Sequence, residues 1–318
     1  MANYKTHSVG LNKKGEPYAF QLEGYISSAA PYFKAAEGDK PAYLSASMGI
    51  GCETECLLAL ANGAYERDKQ YSGGEFVDVR LYGSRAEKFS SVLNKGRHVV
   101  VSGLLKQETF TRKDGTSGER LVVNVDNIVD AGSHKEGILP TIGSDIAVST
   151  LSYTGKDGVT RAIPMACTMS GTVIGCRGLA QGGNGTSYLS FGVRTNMPAE
   201  KVCDLANGTY KKDKEYDTKK TIVNVTVFRE VAERLSKVVA DGAIVVVSGP
   251  VETREYNGNT SYQMRARNDA VTVIKYAERK SEDAPAGGTA AAAAAHTPDP
   301  NPADGFAALA DDDDELPF

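Results

Sequence analysis

The 318-residue chain is predicted to be all-β: two tandem copies of one five-stranded barrel, followed by a disordered acidic C-terminal tail. Three observations carry this prediction. First, the chain repeats itself with a period near 145 residues. Leu60-Ala61-Asn62-Gly63-Ala64-Tyr65-Glu66-Arg67-Asp68-Lys69-Gln70-Tyr71 returns as Leu205-Ala206-Asn207-Gly208-Thr209-Tyr210-Lys211-Lys212-Asp213-Lys214-Glu215-Tyr216, with 8 of 12 positions identical, and residues 76–110 align without a gap onto 222–256 with 12 of 35 identical. Second, apolar residues in both copies recur with a period of two, the mark of half-buried strands. Third, the pattern stops at Ser281, where Pro, Gly, Asp and the run Ala290–Ala295 take over. A period this long is a domain rather than a solenoid unit.

The elements follow in the same order in each copy. A hairpin opens each one, turning at Lys13-Lys14-Gly15-Glu16 and at Gly155-Lys156-Asp157-Gly158,. Strands are predicted over Phe20–Ser27 and Ala42–Met48, matched by Pro164–Ile174 and Ser187–Arg194. Next come Phe76–Tyr82 and Ile222–Phe228, with Val77, Val79 and Leu81, or Val223, Val225 and Val227, on one face. One short helix fits after each, since Ala86, Phe89, Val92 and Leu93, and Val231, Leu235, Val238 and Val239, recur at helical spacing; Gly96 and Gly242 are placed at the helix C-termini. The strands through Val99-Val100-Val101-Ser102-Gly103 and Val245-Val246-Val247-Ser248-Gly249 follow. Hairpins near Asp114-Gly115 and Asn257-Gly258 then lead to a last strand. Five strands with a helix between the third and fourth describe a closed Greek-key barrel of the OB-fold type. The predicted organisation is 1–137 and 138–280 for the two barrels, 281–310 for a disordered linker and 311–318 for an acidic tip.

Composition excludes several classes. At 41% apolar and 24% charged residues, the chain can bury a core, so it is not wholly disordered,. No run of ~18 apolar residues is present to span a membrane, and no apolar stretch follows Lys5 to make a secretory signal,. A cytoplasmic, nucleoid-associated location is the expectation. The five cysteines include no CxxC pair; Cys52 and Cys56 are spaced to share a helical face but make only half a tetrahedral zinc site,. The five are read as reduced, structural thiols with no metal. No nucleotide-loop, nucleophile-elbow or zinc-protease motif occurs, and Gly49-Ile50-Gly51 lacks the third glycine of a dinucleotide fingerprint,. The chain is therefore read as a non-enzyme without cofactors.

The net charge of −4 averages two unlike regions. Residues 281–318 hold nine acidic and no Lys or Arg side chains, which leaves 1–280 with 36 basic against 31 acidic groups, a balance of +5. A basic body with an acidic tail suggests a polyanion for the body and a different partner for the tail, or a solvated surface beside a solubilising tail. Opposite the valines of Phe76–Tyr82 stand Phe76, Asp78, Arg80 and Tyr82. Two aromatics flanking an arginine make a stacking platform beside a phosphate contact, unless the rings pack under a loop. The next hairpin adds Lys106 and Phe110, with Arg112 and Lys113 toward its tip. In the second copy the face reads Ile222, Asn224, Thr226 and Phe228. Arg254 and Tyr256 sit on its hairpin, and Lys211, Lys212, Lys214, Lys219 and Lys220 crowd the preceding loop. Stacking is expected to dominate in the first module and loop electrostatics in the second.

The end of the chain, Asp311-Asp312-Asp313-Asp314-Glu315-Leu316-Pro317-Phe318, resembles the C-terminal tip of bacterial single-stranded DNA-binding proteins. Phe76-Val77-Asp78-Val79-Arg80-Leu81-Tyr82-Gly83, Ala86-Glu87, Lys95-Gly96 and Val99–Gly103 resemble that family's third strand, helix and fourth strand. The resemblance covers about 60 residues of each repeat and the last eight residues. It implies an OB-fold protein that coats single-stranded DNA during replication, recombination and repair. By position, Phe76, Tyr82 and Phe110 match the family's base-stacking aromatics, with Ile222, Phe228 and Tyr256 as second-copy equivalents. Leu316, Pro317 and Phe318 match the tip that inserts into partner proteins, where an apolar anchor and a carboxylate seek a pocket with a basic rim. The chain departs from the family in having no Trp and in carrying an extra N-terminal hairpin per repeat. Because single-barrel relatives form tetramers, two barrels per chain imply a homodimer with four OB-folds. The alternatives are a specialised annealing or restart factor of a mobile element, an interaction scaffold that does not bind DNA, and an enzyme subunit using the barrels for docking.

Overall fold

A strand with one apolar face must close on its neighbours or pack against another layer. In the computed structural model, which describes residues 7–28, 30–112, 114–133, 140, 146–155, 157–256, 258–267 and 270–277, the chain closes twice. The first module runs β1 (His7–Asn12), β2 (Pro17–Ile26), β3 (Tyr32–Lys34), β4 (Tyr43–Gly49), α1 (Thr54–Ala61), β5 (Phe76–Tyr82), α2 (Gly83–Phe89), β6 (His98–Thr111) and β7 (Ser117–Asp130). The second runs β8 (Ala147–Thr154), β9 (Thr160–Ile174), β10 (Leu179–Gln181), β11 (Ser187–Arg194), α3 (Ala199–Asn207), β12 (Ile222–Phe228), α4 (Arg229–Leu235), β13 (Ile244–Tyr256), β14 (Asn259–Arg265) and β15 (Val271–Lys275).

In the first barrel β2 pairs with β4, β4 with β5, β5 in parallel with β7, β7 with β6, and β6 back with β2. The second closes in the same way through β9, β11, β12, β14 and β13. Where the first copy has one long last strand, the second divides it into β14 and β15, which pair with successive stretches of β13. The predicted apolar faces point inward: Val77, Val79 and Leu81 meet Leu22, Leu44, Met48, Val99 and Val101, while Val223, Val225 and Val227 meet Val173, Leu189, Phe191, Val245 and Val247. Each such side chain contributes about 1.5–3 kcal/mol on burial.

Three sequence expectations need correction. Each module holds two helices rather than one. α1 was missed because Leu57–Ala61 is uniformly apolar and shows no contrast between faces; α3 buries Ala199, Val202, Cys203 and Ala206 at full helical spacing. α1 begins only at Thr54, so Cys52 does not share its face with Cys56. Gly96 and Gly242 are not helix caps. The helices end at Phe89 and Leu235, and these glycines turn the chain into β6 and β13 at φ of 84° and 91°. The expected domain boundary at 137/138, the linker and the tip lie outside the described residues. All five cysteines remain thiols, and burial pushes the Cys203 thiol up to about 11.

The repeated Val-Ser-Gly has a double structural role. A Cβ on Gly103 or Gly249 would collide with the backbone carbonyl of Asn124 or Arg265, so each barrel needs glycine where its last two strands approach. The serines, Ser102 and Ser248, face the other module. There the extra hairpins meet: β1 pairs with β8 at Leu11–Ser152 and Asn12–Leu151, joining both modules into one sheet. Tyr18 and Phe20 pack against Ala147, Leu151, Met165 and Cys167, and Val100, Val129 and Ala131 against Val246 and Ile274.

Through this apolar joint runs a polar seam with matching halves. Thr168 Oγ1 lies 3.1 Å from Ser102 Oγ and accepts from Asn127 Nδ2 at 2.9 Å. In the reciprocal half, the Ser248 hydroxyl donates to Gln21 Oε1 at 2.8 Å, and Gln21 Nε2 donates to Thr272 Oγ1 at 3.1 Å. The Thr168 N–H donates to Ser248 Oγ at 2.8 Å, tying the halves together. Thr168 has φ of 50°, a conformation costly for a β-branched residue, and it is held there by bonds from three strands,. Thr168→Val keeps the shape and the strain but removes the hydroxyl that Asn127 Nδ2 and Ser102 Oγ meet in the seam. It should lower the unfolding free energy by about 1–3 kcal/mol in a urea titration; an unchanged midpoint would show that the seam does not hold the modules.

Candidate nucleic-acid interface

Because β5 alternates, burying Val77, Val79 and Leu81 forces Phe76, Asp78, Arg80 and Tyr82 outward. Phe76 is 55% exposed and Tyr82 45% exposed. The pairing of β4 with β5 extends this face. Gly49 stands opposite Phe76, leaving room for its ring, and Tyr43 stands opposite Tyr82. The rings of Tyr82 and Tyr43 are 5.4 Å apart and those of Tyr43 and Tyr32 6.1 Å apart, so three tyrosines run across β5, β4 and the edge strand β3. Neither Tyr43 nor Tyr32 was singled out from sequence, although Tyr43-Leu44-Ser45 recurs as Tyr188-Leu189-Ser190.

On the other side of β5, β6 and β7 carry Lys106, Glu108, Phe110 and Arg120 outward. Lys106 is exposed, and Phe110 is half-buried with the Arg112 and Arg120 guanidiniums 5.7 and 5.5 Å from its ring. Arg112 also donates to the Ser117 carbonyl at 2.8 Å, while Lys113 lies outside the described residues. Arg80 does not stand open beside the aromatics. Its two terminal nitrogens each donate to a different oxygen of Glu108 at 2.7 Å, and its side chain is only 13% exposed. These bonds hold the Glu108 carboxyl below the usual carboxylate range.

The second module reproduces the strand but not the face. Ile222 and Asn224 are exposed, but Thr226 is buried with its hydroxyl 3.0 Å from Ser190 Oγ. Phe228 is half-buried under Arg265, whose guanidinium is 5.1 Å from the ring. Arg254 is paired with Glu252 at 2.9 Å, and the Tyr256 side chain lies outside the described set. Lys211, Lys212, Lys219 and Lys220 are exposed in the loop before β12. Lys214 is not available in the same way, being 2.7 Å from Glu200 and 2.8 Å from Asp204.

The most strongly repeated stretch proves to be a pair of matching aromatic loops. Tyr65 and Tyr71 stack at 5.6 Å, and Tyr210 and Tyr216 at 6.1 Å. A lysine lies over each second ring: Lys69 at 4.9 Å from Tyr71 and Lys214 at 5.1 Å from Tyr216. In the first loop Glu55 accepts from the Ser72 N–H and hydroxyl and pairs with Lys69, which pulls its carboxyl down to about 2. In the sequence the four tyrosines and Lys69 stand only as evidence of repetition, and Lys214 as one of the basic loop residues; the near-identity of the two stretches was the signal that they also form a common structure.

Among the described residues no helix is long and apolar enough to cross a membrane, and no group of three or more His, Cys, Asp or Glu residues is arranged to hold a metal ion. No curated protein matches the chain. Among solved structures, it is similar to the single-stranded DNA binding protein of Thermus aquaticus, at 15% identity and a TM-score of 0.24 over 82% of this chain and 94% of that one. It is also similar to the small single-stranded DNA-binding protein of Streptomyces coelicolor, at 20% identity and a TM-score of 0.27 over 38% and 98%. The mitochondrial single-stranded DNA binding protein of S. cerevisiae matches at 18% identity and a TM-score of 0.24 over 36% and 98%. At these scores the assignment does not rest on the structural likenesses. It rests on the sequence profile of the Single-strand binding protein family, which matches residues 54–130 and 166–274, one stretch in each module and together more than half of the chain. With two family matches on two OB-fold barrels, the chain belongs to the single-strand binding protein family.

Proposed function

We propose that this protein binds single-stranded DNA with little sequence preference, as a binder and not a catalyst. The observation that carries the reading is the outward row of Phe76, Tyr82, Tyr43 and Tyr32 on the first barrel, in a chain of this family. Exposed rings offer every base a π-face, and stacking is worth about 1–3 kcal/mol per base whatever the sequence. Phosphates are met by Lys106 and Arg112 beside that row, and by Lys219, Lys220 and their neighbours Lys211 and Lys212 before β12. A duplex hides its bases and so gains only the second kind of contact.

The reading extends to a role in protecting exposed strands during replication, recombination and repair, in the cytoplasm on the nucleoid. A homodimer would present four barrels. The tip Asp311-Asp312-Asp313-Asp314-Glu315-Leu316-Pro317-Phe318 would recruit the enzymes that work on those strands, its aspartates meeting a basic rim and Phe318 an apolar pocket,.

Titrating the purified chain with fluorescent oligo-dT and a matching duplex at several salt concentrations tests the central claim. Preferential single-strand binding is expected, with log K falling by about 0.7 per phosphate contact per decade of salt. No preference for the single strand would overturn it. The division between modules has its own check: Phe76→Ala with Tyr82→Ala should weaken oligo-dT binding more than Ile222→Ala with Phe228→Ala. Equal losses would mean that both modules stack bases equally.

A further inference from the structure

The centre of the first module's aromatic face is electrically closed. Four charged side chains from three adjacent strands form a ladder across it. Arg80 of β5 is bidentate to Glu108 of β6 at 2.7 and 2.7 Å; Glu108 lies 3.3 Å from Arg120 of β7; and Arg120 lies 3.2 Å from Asp78, back on β5. Two cations and two carboxylates sum to zero. Phe76 and Tyr82 bracket the ladder along β5, and Phe110 lies under Arg120. The strand pairing sets one rung directly, since Glu108 of β6 stands opposite Arg120 of β7; the long Arg80 and Arg120 side chains reach across β5 and β7 to complete the others.

We propose that Glu108 is a specificity-determining residue: by occupying the Arg80 fork and sharing Arg120, it withholds these two cations from phosphates at the centre of the face, leaves the phosphate contacts to Lys106 and Arg112 at its side, and makes the face more selective for unpaired bases. The proposal rests on the single-strand binding reading given above. A phosphate can reach Arg80 only by displacing a carboxylate that already satisfies both terminal nitrogens with charge-assisted bonds, and the displaced Glu108 would then be left beside the phosphate. Aromatic rings around a neutral centre attract bases but offer a duplex very little. The second module lacks the device. In the gapless alignment of 76–110 with 222–256, Asn224 and Thr226 stand for Asp78 and Arg80, and Arg254 stands for Glu108. The carboxylate of one module is thus a guanidinium in the other.

The test is the salt dependence of binding to oligo-dT and to a matching duplex, for wild type, Glu108→Gln and the double variant Glu108→Gln/Arg80→Gln in the full chain. Glu108→Gln should steepen the oligo-dT slope by roughly 0.7 per released contact, so that its gain in affinity grows about fivefold for each tenfold fall in salt. Duplex binding should gain at least as much, and the preference for the single strand should fall. The double variant separates release of Arg80 from simple loss of a negative charge: release predicts a return toward the wild-type slope. A slope still as steep in the double variant, or a single variant indistinguishable from wild type, overturns the proposal. If Glu108→Gln fails to fold by circular dichroism, Glu108→Asp serves, since its shorter carboxylate cannot hold both nitrogens; it should shift the slope in the same direction by less, and no shift overturns the idea. Wild type that shows no single-strand preference overturns the function itself, an outcome distinct from an unaltered variant slope.

Discussion

The joint between the two barrels is the constraint on which the rest of the molecule depends. Pairing of β1 with β8 runs one sheet through both modules, but two registered residue pairs alone would make a weak hinge. Apolar packing around Phe20 and Met165 and the seam through Thr168, Ser102, Gln21 and Ser248 convert it into a fixed junction. A buried hydrogen-bonding group with no partner costs about 1–3 kcal/mol. A slipped arrangement would orphan several such groups at once. Thr168 illustrates the balance: its strained backbone persists because the surrounding bonds require it.

Given a fixed junction, each barrel's exposed face follows from closure. The strand that turns valines inward must turn its alternate residues outward, so β5 presents Phe76 and Tyr82 for the same reason that it buries Val77 and Leu81. Pairing then decides what surrounds them. Antiparallel β4 brings tyrosines to one side, and parallel β7 with β6 brings a closed set of charges to the other. The modest basic excess of residues 1–280 is therefore a poor guide to local charge. Some of its cations are held by carboxylates, while others stand exposed in the loop before β12.

Much of this was legible in the sequence. Ser187–Arg194, Phe76–Tyr82 and Ile222–Phe228 were bounded as observed, because period-two alternation flanked by turn residues has few competing interpretations,. The helices were less legible. α1 lacks a polar face, and the spacing in α3 was overshadowed by the repeat that overlaps it. Gly96 and Gly242 have the positive φ expected of them, but in turns that start strands rather than at helix ends.

The amino-acid order by itself determined that there are two copies, that each is a closed barrel, and that Phe76 and Tyr82 share the strand face opposite Val77, Val79 and Leu81; all three follow from local periodicity and from likeness between distant segments, while their exposure was decided by the fold. Only the tertiary structure decided what those residues meet. Arg80 and Glu108 are separated by 28 residues, and Gln21 and Ser248 by 227. No local pattern encodes such pairings, because they arise from strand register and barrel closure. Arg80 accordingly reads as an open cation in the sequence and is a clamped one in the fold. The serine of Val-Ser-Gly reads as a strand residue and is part of the seam joining the modules.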